Sequence, residues 1–264
     1  MVAICQSELP LRPWAEARTA RLPGLNPVEP GDWLRVDEVY AAQMAYREDL
    51  LATRRDEVHA LAPDARPAAE ALLDAVLAEI AAKPGYSRRG GRVICPDGRA
   101  VEIDRQAPLV TAARLVQEDL VVMQQPEGAE EHILTGAVLC FPASWTLSEK
   151  FMRPLTGIHV PVPVYDDNIA RRVQRLFDGL REGRPIWRAN ALVYADPDLH
   201  QPRREGERRK LPPDGPRWLR IERQVLNRLP VPRSVVFSIH TYVIPFERLT
   251  GEDRAALAAH RPVS

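Results

Sequence analysis

Five short β-rich runs occupy the second half of the chain and limit the folds that it can adopt. Each run is bounded by proline, glycine or aspartate, which often flank strands. Between the second and third runs, residues 166–180 form an amphipathic segment with Val173, Phe177 and Leu180 on its apolar side. Strands, one helix and then an antiparallel meander predict an α+β fold with one sheet face covered. The five predicted strands are residues 120–123, 133–141, 187–194, 219–226 and 235–244.

The first half of the chain carries mainly helical patterns. Apolar residues recur at helical spacing in three segments, and a Pro-Asp-Gly turn separates two runs typical of a small hairpin. The first 31 residues show no periodicity and predict irregular chain. The predicted helices are residues 36–61, 67–83 and 109–119, and the predicted hairpin strands are residues 93–95 and 100–103.

We therefore expect one domain over residues 1–264. Within it, residues 1–119 form an N-terminal extension with helices and a small hairpin, and residues 120–250 form the core.

Composition restricts the class of partner. The chain of 264 residues is 45% hydrophobic, enough to bury a substantial core. Its 36 basic and 36 acidic side chains cancel, so no net field draws it to nucleic acid or to an anionic membrane. The three cysteines are far apart, which argues against a disulfide framework. No run approaches the roughly 20 apolar residues of a membrane span. We expect a cytoplasmic protein that binds neither nucleic acid nor membrane.

The sequence lacks the motifs of several common enzyme classes. It contains no GxGxxG opening a βαβ unit, no P-loop, no HExxH and no GxSxG. Its six histidines are widely spaced, so the sequence holds no local multi-histidine metal motif. A site with a single histidine remains, and haem is a cofactor that one protein ligand can hold.

His159 fits the role of a haem ligand. It lies in the segment GIHVPVP, residues 157–163, between the apolar side chains of Ile158 and Val160. Apolar walls suit the porphyrin faces, and the two prolines reduce the flexibility of the ligand segment. The alternative is a core or loop histidine that hydrogen-bonds to the backbone, and spacing alone favours that alternative.

His240 is the rival iron ligand. In the last predicted strand it shares a face with Ser238 and Tyr242, so it can line a pocket. A cross-strand polar pair at the sheet surface explains the same pattern more simply. The remaining histidines are expected to be solvated, and they are His59, His132, His200 and His260.

Arg223 is the second candidate site residue. Alternation along its strand places it with Leu219, Ile221 and Val225 on the apolar side. A guanidinium there is costly unless it pairs with an anion, a carboxylate or a reacting oxygen. The alternatives are an internal ion pair with an acid such as Glu149 or Asp166, or a buried stem whose head group reaches water.

Three long segments resemble a known family, the haem-dependent oxidative N-demethylase alpha subunits. They are FPASWTLSEKFMRPLTGIHVPVP at 141–163, RPIWRAN at 184–190 and WLRIERQVLNRLPVPRSVVFSIHTYVIP at 218–245. Together they cover most of the second half of the chain and are far more specific than a lone histidine. The first half resembles the family only in its general layout.

The resemblance implies a PAS-like antiparallel sheet with flanking helices that binds haem b. It also implies O2-dependent removal of a methyl group from a small methylated amine, with release of formaldehyde. Electrons would come from a separate flavin and iron–sulfur reductase, and a tetrahydrofolate-binding subunit would receive the formaldehyde. The chain has neither cluster-spaced cysteines nor a nucleotide-binding motif, so an external electron donor is expected on the residues alone.

The resemblance, with the residue patterns, suggests roles for particular side chains. His159 would bind the iron, flanked by Ile158 and Val160, and Arg223 would donate hydrogen bonds to the reacting oxygen as negative charge develops. Glu222 lies on the opposite strand face and is expected to be structural. The candidates for contact with an alkylammonium substrate are Tyr165, Asp166 and Tyr242.

Two other classes of protein fit the same pattern. A haem-binding or ligand-binding PAS-like sensor would bind without turnover, because a fold does not fix a function. A cofactor-free scaffold subunit is the third class. No signalling segment follows the meander in this sequence, which favours the enzyme over the sensor.

Overall fold

A seven-stranded antiparallel sheet forms the centre of the molecule. The computed structural model describes residues 3–16, 19, 24–159, 167–207, 212 and 214–259, without the side chains of 159 and 167–170. The strand order across the sheet is β1-β8-β9-β10-β6-β7-β2. Its strands are β1 (Asn26–Pro27), β2 (His59–Leu61), β6 (Asp119–Gln124), β7 (Ile133–Val138), β8 (Ile186–Tyr194), β9 (Trp218–Arg228) and β10 (Ser234–Pro245).

A second, three-stranded sheet lies in the first half of the chain. It consists of β3 (Ser87–Arg89), β4 (Arg92–Ile94) and β5 (Ala100–Glu102), paired antiparallel in that order. The turn between β4 and β5 contains Gly98 at a φ of 83°, a conformation that glycine adopts without a steric penalty. The predicted hairpin is therefore confirmed, with β3 as an additional edge strand.

Helices cover both faces of the large sheet. In chain order they are α1 (Tyr40–Thr53), α2 (Arg55–Val58), α3 (Arg66–Ile80), α4 (Pro108–Leu115), α5 (Leu147–Lys150), α6 (Leu155–His159), α7 (Asp167–Gly179) and α8 (Gly251–Ala259). These elements confirm the predicted α+β class, but the prediction that only one sheet face is covered is wrong, because helices pack on both faces. The division into an N-terminal extension and a core, and the PAS-like character of the core, stay predictions.

One face of the sheet, which we call the N-terminal face, packs against the first half of the chain. Helices α1, α3 and α4 supply side chains such as Met44, Leu72 and Leu109, all of them fully buried. In α3 the buried residues recur every three or four positions, and a proline lies at the helix start, where its missing N–H costs nothing. The sheet contributes alternate residues, among them Ile221 and Val225 of β9.

The opposite face, which we call the α6–α7 face, packs against α5, α6 and α7. Phe177 of α7 and Leu155 of α6 are buried there against Val235 and Ile239 of β10. The apolar residues of α7 lie along one side of the helix, as the sequence predicts. Because successive residues of a strand point to opposite faces, each strand contributes to both layers.

Two short strands differ from the predictions. The segment 36–61 was predicted as one helix, but its helical part ends at Val58. The next residues, His59–Leu61, form a strand that pairs with β7. Asn26–Pro27, predicted as irregular chain, pairs with Trp187 and Ile186 of β8. Both pairings join residues that are distant in sequence, so local periodicity carries no signal for them.

Candidate functional site on the α6–α7 face

The structure places Arg223 on the N-terminal face. It shares the parity of Ile221 and Val225, which pack there, whereas α6 covers the other side of the sheet. Its side chain is fully buried, and its guanidinium donates hydrogen bonds to the carbonyl oxygens of Trp33 and Asp32 at 3.0 and 2.7 Å. It also forms an ion pair with the Asp32 carboxylate at 3.1 Å.

These contacts assign Arg223 a structural environment. Burial and the neighbouring Arg35 lower its pKa, and the Asp32 carboxylate opposes that shift. Its guanidinium also lies over the Trp187 ring, 5.3 Å from the centroid. The alternative of an internal ion pair therefore describes its surroundings, with Asp32 as the acid. Arg223 and α6, which ends at His159, lie on opposite faces of the sheet.

His240 and Tyr242 also lie on the N-terminal face. His240 is fully buried, with Nδ1 2.9 Å from Glu118 Oε1 and Nε2 3.3 Å from Asp37 Oδ2. Burial alone would lower the pKa of His240, but Tyr242 and the two carboxylates raise it well above its ordinary value. Both ring nitrogens are engaged, so His240 has none free for iron.

Several expectations about these residues need correction. His240 lies in the interior, not at the sheet surface, because two carboxylates compensate its charge. Tyr242 is buried beside it, with the two rings 4.5 Å apart, and its hydroxyl accepts a hydrogen bond from Arg35. It therefore lies on the opposite sheet face from α6, and its contact with the substrate stays a prediction.

Two histidines predicted to be solvated are buried. His132 packs against the Phe177 ring, and burial lowers its pKa. His200 lies with Nδ1 2.8 Å from the carbonyl oxygen of Cys140, so Nδ1 carries the proton. His59 is half-buried in β2, and His260 lies outside the described residues.

His159 is the last residue of α6, and its side chain is not among those described. The helix is held on the α6–α7 face by Leu155, which is buried, and by Ile158, which is half-buried against the same cluster. The predicted site residues Val160, Tyr165 and Asp166 lie outside the described residues. The role of His159 as an iron ligand stays a prediction.

A row of polar side chains crosses the α6–α7 face on three neighbouring strands. Asn190 of β8 is directly opposite Glu222 of β9, which is directly opposite Thr241 of β10. One row further along, Arg188 is opposite Gln224. We call these five residues the polar row. Each has the parity of apolar residues that contact α6 and α7, such as Ile186, Leu226 and Ile239.

Glu222 is the acid of the polar row. It lies on the face of β9 opposite to Arg223, as alternation along the strand predicts. Its carboxylate accepts hydrogen bonds from Asn190 Nδ2 at 3.4 Å and Gln224 Nε2 at 3.2 Å, and forms an ion pair with Arg220 at 3.4 Å. Arg220 is itself held by the carbonyl oxygens of Leu199 and Phe141. These contacts orient a mostly buried carboxylate at the centre of the face.

Arg188 is the cation of the polar row. Burial lowers its pKa, and the nearby Glu222 carboxylate offsets part of that shift. Its Nε is buried, and no described residue accepts a hydrogen bond from it. Thr241 Oγ1 is likewise buried without a hydrogen-bond partner among the described residues. Buried polar atoms of this kind are costly unless a further group meets them.

Apolar side chains share the α6–α7 face with the polar row. Ile158, Leu226 and Phe237 are half-buried members of the cluster on this face, together with Trp145 at the start of α5. A flat, largely apolar group such as haem is compatible with these side chains, because they offer apolar contacts to its faces on the side of the sheet that also carries a cation. The described residues therefore fit a haem group on this face. Among them, no group of three or more histidines, cysteines, aspartates or glutamates is placed to hold a metal ion by itself.

The sequence contains a signal for the polar row. In RPIWRAN, alternation places Trp187 and Ala189 on one face and Arg188 and Asn190 on the other. Such a pattern usually indicates a solvated face. Only the position of α6 and α7 shows that this face is covered.

The chain is a member of a family defined by a haem enzyme. Residues 24–261 match the family described as haem-dependent oxidative N-demethylase, alpha subunit-like. The match spans nearly the whole chain, so the chain belongs to that family. It includes both the α6–α7 face and the N-terminal helices, which extends the resemblance beyond the second half. No helix of the described residues has the length and apolar character needed to span a membrane.

Proposed function

We propose that the protein is the haem-binding subunit of an oxidative N-demethylase, acting on a small methylated amine. In the overall reaction one O2 and two electrons, with two protons, convert the N-methyl group to formaldehyde and yield the demethylated amine and one water. Haem, when bound, supplies the O2 chemistry. The observation that carries the proposal is the polar row, in which an acid and a cation without a described hydrogen-bond partner lie on neighbouring strands of the face that α6 packs on.

His159 would hold the haem iron from α6. The support is its position at the end of a helix that packs on the α6–α7 face, and the engagement of both His240 nitrogens elsewhere. A neutral imidazole nitrogen is the usual protein ligand in such a site.

Glu222 would bind the substrate ammonium group. Its carboxylate is mostly buried and is oriented by Asn190, Gln224 and Arg220. An ammonium ion paired with a buried carboxylate gains a strong, charge-assisted hydrogen bond. A quaternary ammonium has no N–H to donate, so we expect secondary and tertiary amines to be the preferred class.

Arg188 would stabilise negative charge on the reacting oxygen, the role that the sequence analysis gave to Arg223. A preorganised cation in a site shielded from water lowers the barrier most where charge develops only in the transition state. Arg188 meets this condition because its Nε is buried and its guanidinium forms neither a hydrogen bond nor an ion pair with a described residue.

The same proposal includes a source of electrons, a cytoplasmic location and two further subunits. A flavin and iron–sulfur reductase would reduce the cofactor, and a tetrahydrofolate-binding subunit would receive the formaldehyde. Their support is the family to which the chain belongs and the lack of cluster and nucleotide motifs in the chain.

The test is formaldehyde release by the haem-loaded protein from a panel of amines, with a supplied reductant. We expect turnover of dimethylamine or trimethylamine, and no turnover of tetramethylammonium. The variant Glu222→Gln should raise KM for the amine about tenfold or more with a smaller change in kcat, since it removes the charge that binds the ammonium group. The matched control is Glu182→Gln, an exposed acid after α7. A haem-bound protein that releases no formaldehyde from any amine would indicate a sensor.

A further inference from the structure

Five exposed arginines lie on α7 and the turn that follows it. They are Arg171, Arg172, Arg175, Arg181 and Arg184, and we call them the α7 arginine surface. Three acids, Asp167, Asp178 and Glu182, lie in the same stretch, so arginines outnumber acids there in a chain of zero net charge. None of the five arginines forms an ion pair with a described residue. Long cationic side chains are therefore presented to solvent together.

The geometry of α7 separates this surface from the core. Arg171 and Arg175 are one helical turn apart, and Val173 and Phe177 project from the opposite side of the helix onto the sheet. Because that apolar side is already packed, it is not free to enter a lipid bilayer as the apolar side of an interfacial helix does. The basic side is directed away from the sheet.

The chemistry of the surface favours a protein partner. Acids interspersed among the arginines disfavour a uniformly anionic polymer such as nucleic acid, because Asp178 and Glu182 would face its phosphates. A folded partner can present carboxylates opposite the arginines and avoid the two acids. Charge complementarity of this kind accelerates the association of two proteins.

The position of α7 indicates what such a partner would do. The inner side of α7 packs on the sheet face that also carries the polar row, so a protein bound to its outer side is separated from that face by the thickness of one helix, about 10 Å. Resting on the function proposed above, the reaction needs two electrons from outside the chain. We propose that the α7 arginine surface docks an acidic electron-transfer protein that reduces the bound cofactor.

The experiment compares two charge-reversed double variants of the haem-loaded protein. Arg171→Glu with Arg175→Glu alters the proposed surface, and Arg88→Glu with Arg89→Glu makes the same charge change on β3, whose residues are all exposed. Anaerobic reduction by flavodoxin hydroquinone, an acidic donor, is followed in a stopped-flow spectrometer. We expect the α7 variant to be reduced at least tenfold more slowly at low salt, with wild-type rates in the β3 variant. Dithionite should reduce all three proteins equally.

Binding measured without haem separates this proposal from the function proposed above. Calorimetric titration of flavodoxin into the haem-free chain should show salt-sensitive binding that the α7 variant loses and the β3 variant keeps. If the chain takes up no haem but this binding pattern holds, the docking surface stands and the proposed enzyme function fails. Equal flavodoxin rates in the two double variants would overturn the docking surface. Binding to duplex DNA or to phosphatidylserine vesicles in preference to flavodoxin would also overturn it.

Discussion

The two faces of the sheet bury charged groups in different ways. On the N-terminal face, Arg47 pairs with Asp119 at 2.9 Å, Arg223 pairs with Asp32, and His240 lies between two carboxylates. On the α6–α7 face, the Arg188 guanidinium forms neither a hydrogen bond nor an ion pair with a described residue, and the buried Thr241 hydroxyl has no described partner. The buried Nε atoms of Arg47 and Arg223 also lack a described acceptor, but each of those guanidiniums has a carboxylate partner. Paired charges hold a structure together, whereas incompletely paired ones indicate a group still to be bound. This contrast, more than the presence of charge, distinguishes the site from the core.

The first prediction breaks a pair on the N-terminal face. Arg47→Leu should lower the free energy of unfolding by about 3–5 kcal/mol, because it leaves the buried Asp119 carboxylate without its cation. Urea denaturation measures the change. The matched control is Arg92→Leu, which removes an exposed pair with Glu102 and should cost less than about 1 kcal/mol. Similar losses in the two variants would contradict a structural role for buried pairing on this face.

The second prediction tests the incompletely paired cation. Arg188→Met should lower kcat/KM by about 10²–10³-fold, as expected for the loss of a preorganised charge, while the free energy of unfolding stays the same or rises. Formaldehyde release and urea denaturation measure the two quantities. Arg223→Met is the comparison, and it should reduce stability and leave kcat/KM of the folded protein unchanged. A reversed result would assign the reaction to the N-terminal face.

The third prediction concerns pH. The folded-state pKa of His240 is raised, so its charge stabilises the protein fully below about pH 6.5, its ordinary pKa. That contribution is lost as pH rises through the folded-state pKa, well above 6.5. His240→Gln should therefore cost about 2 kcal/mol at pH 6 and progressively less at alkaline pH. Urea midpoints between pH 6 and 10 give the profile, and a pH-independent difference would contradict the paired imidazolium.

The smallest effect is expected for one neutral hydrogen bond. Trp33 Nε1 donates to Ser238 Oγ at 3.0 Å in the buried N-terminal face. Ser238→Ala should cost about 1 kcal/mol in the free energy of unfolding, because the indole N–H loses its acceptor. Denaturation by urea is again the measurement. A cost as large as that of Arg47→Leu would show that charge is not what distinguishes these contacts.

Much of the fold could be predicted because its signals are local. The alternating runs that became β8, β9 and β10, and the apolar stripes of α3 and α7, are patterns within one element. The partner of Arg223 could not be found in this way, since Asp32 lies in the irregular N-terminal chain and meets β9 only in the folded protein. Alternation correctly predicted that Arg223 lies on an apolar face of its strand. It did not predict which layer of the protein covers that face.

The candidate site was predicted less completely for the same reason. The alternation that separates Arg188 from Trp187 is visible in the sequence, yet a polar strand face is usually solvated. Recognising it as a site requires knowing that α6 and α7 pack on the same sheet face, and those contacts join residues far apart in the chain. The sequence motif around His159 indicated a candidate ligand segment. It did not indicate which sheet residues lie on the same face as α6.

The visible spectrum of the haem-loaded protein tests the central claim, that the α6–α7 face is the reaction face. We predict that His159→Ala loses or alters the Soret band, because α6 carries the iron ligand, and that His240→Gln retains the wild-type band, because both nitrogens of His240 are bound to carboxylates. An unchanged spectrum in His159→Ala together with an altered spectrum in folded His240→Gln would contradict the account.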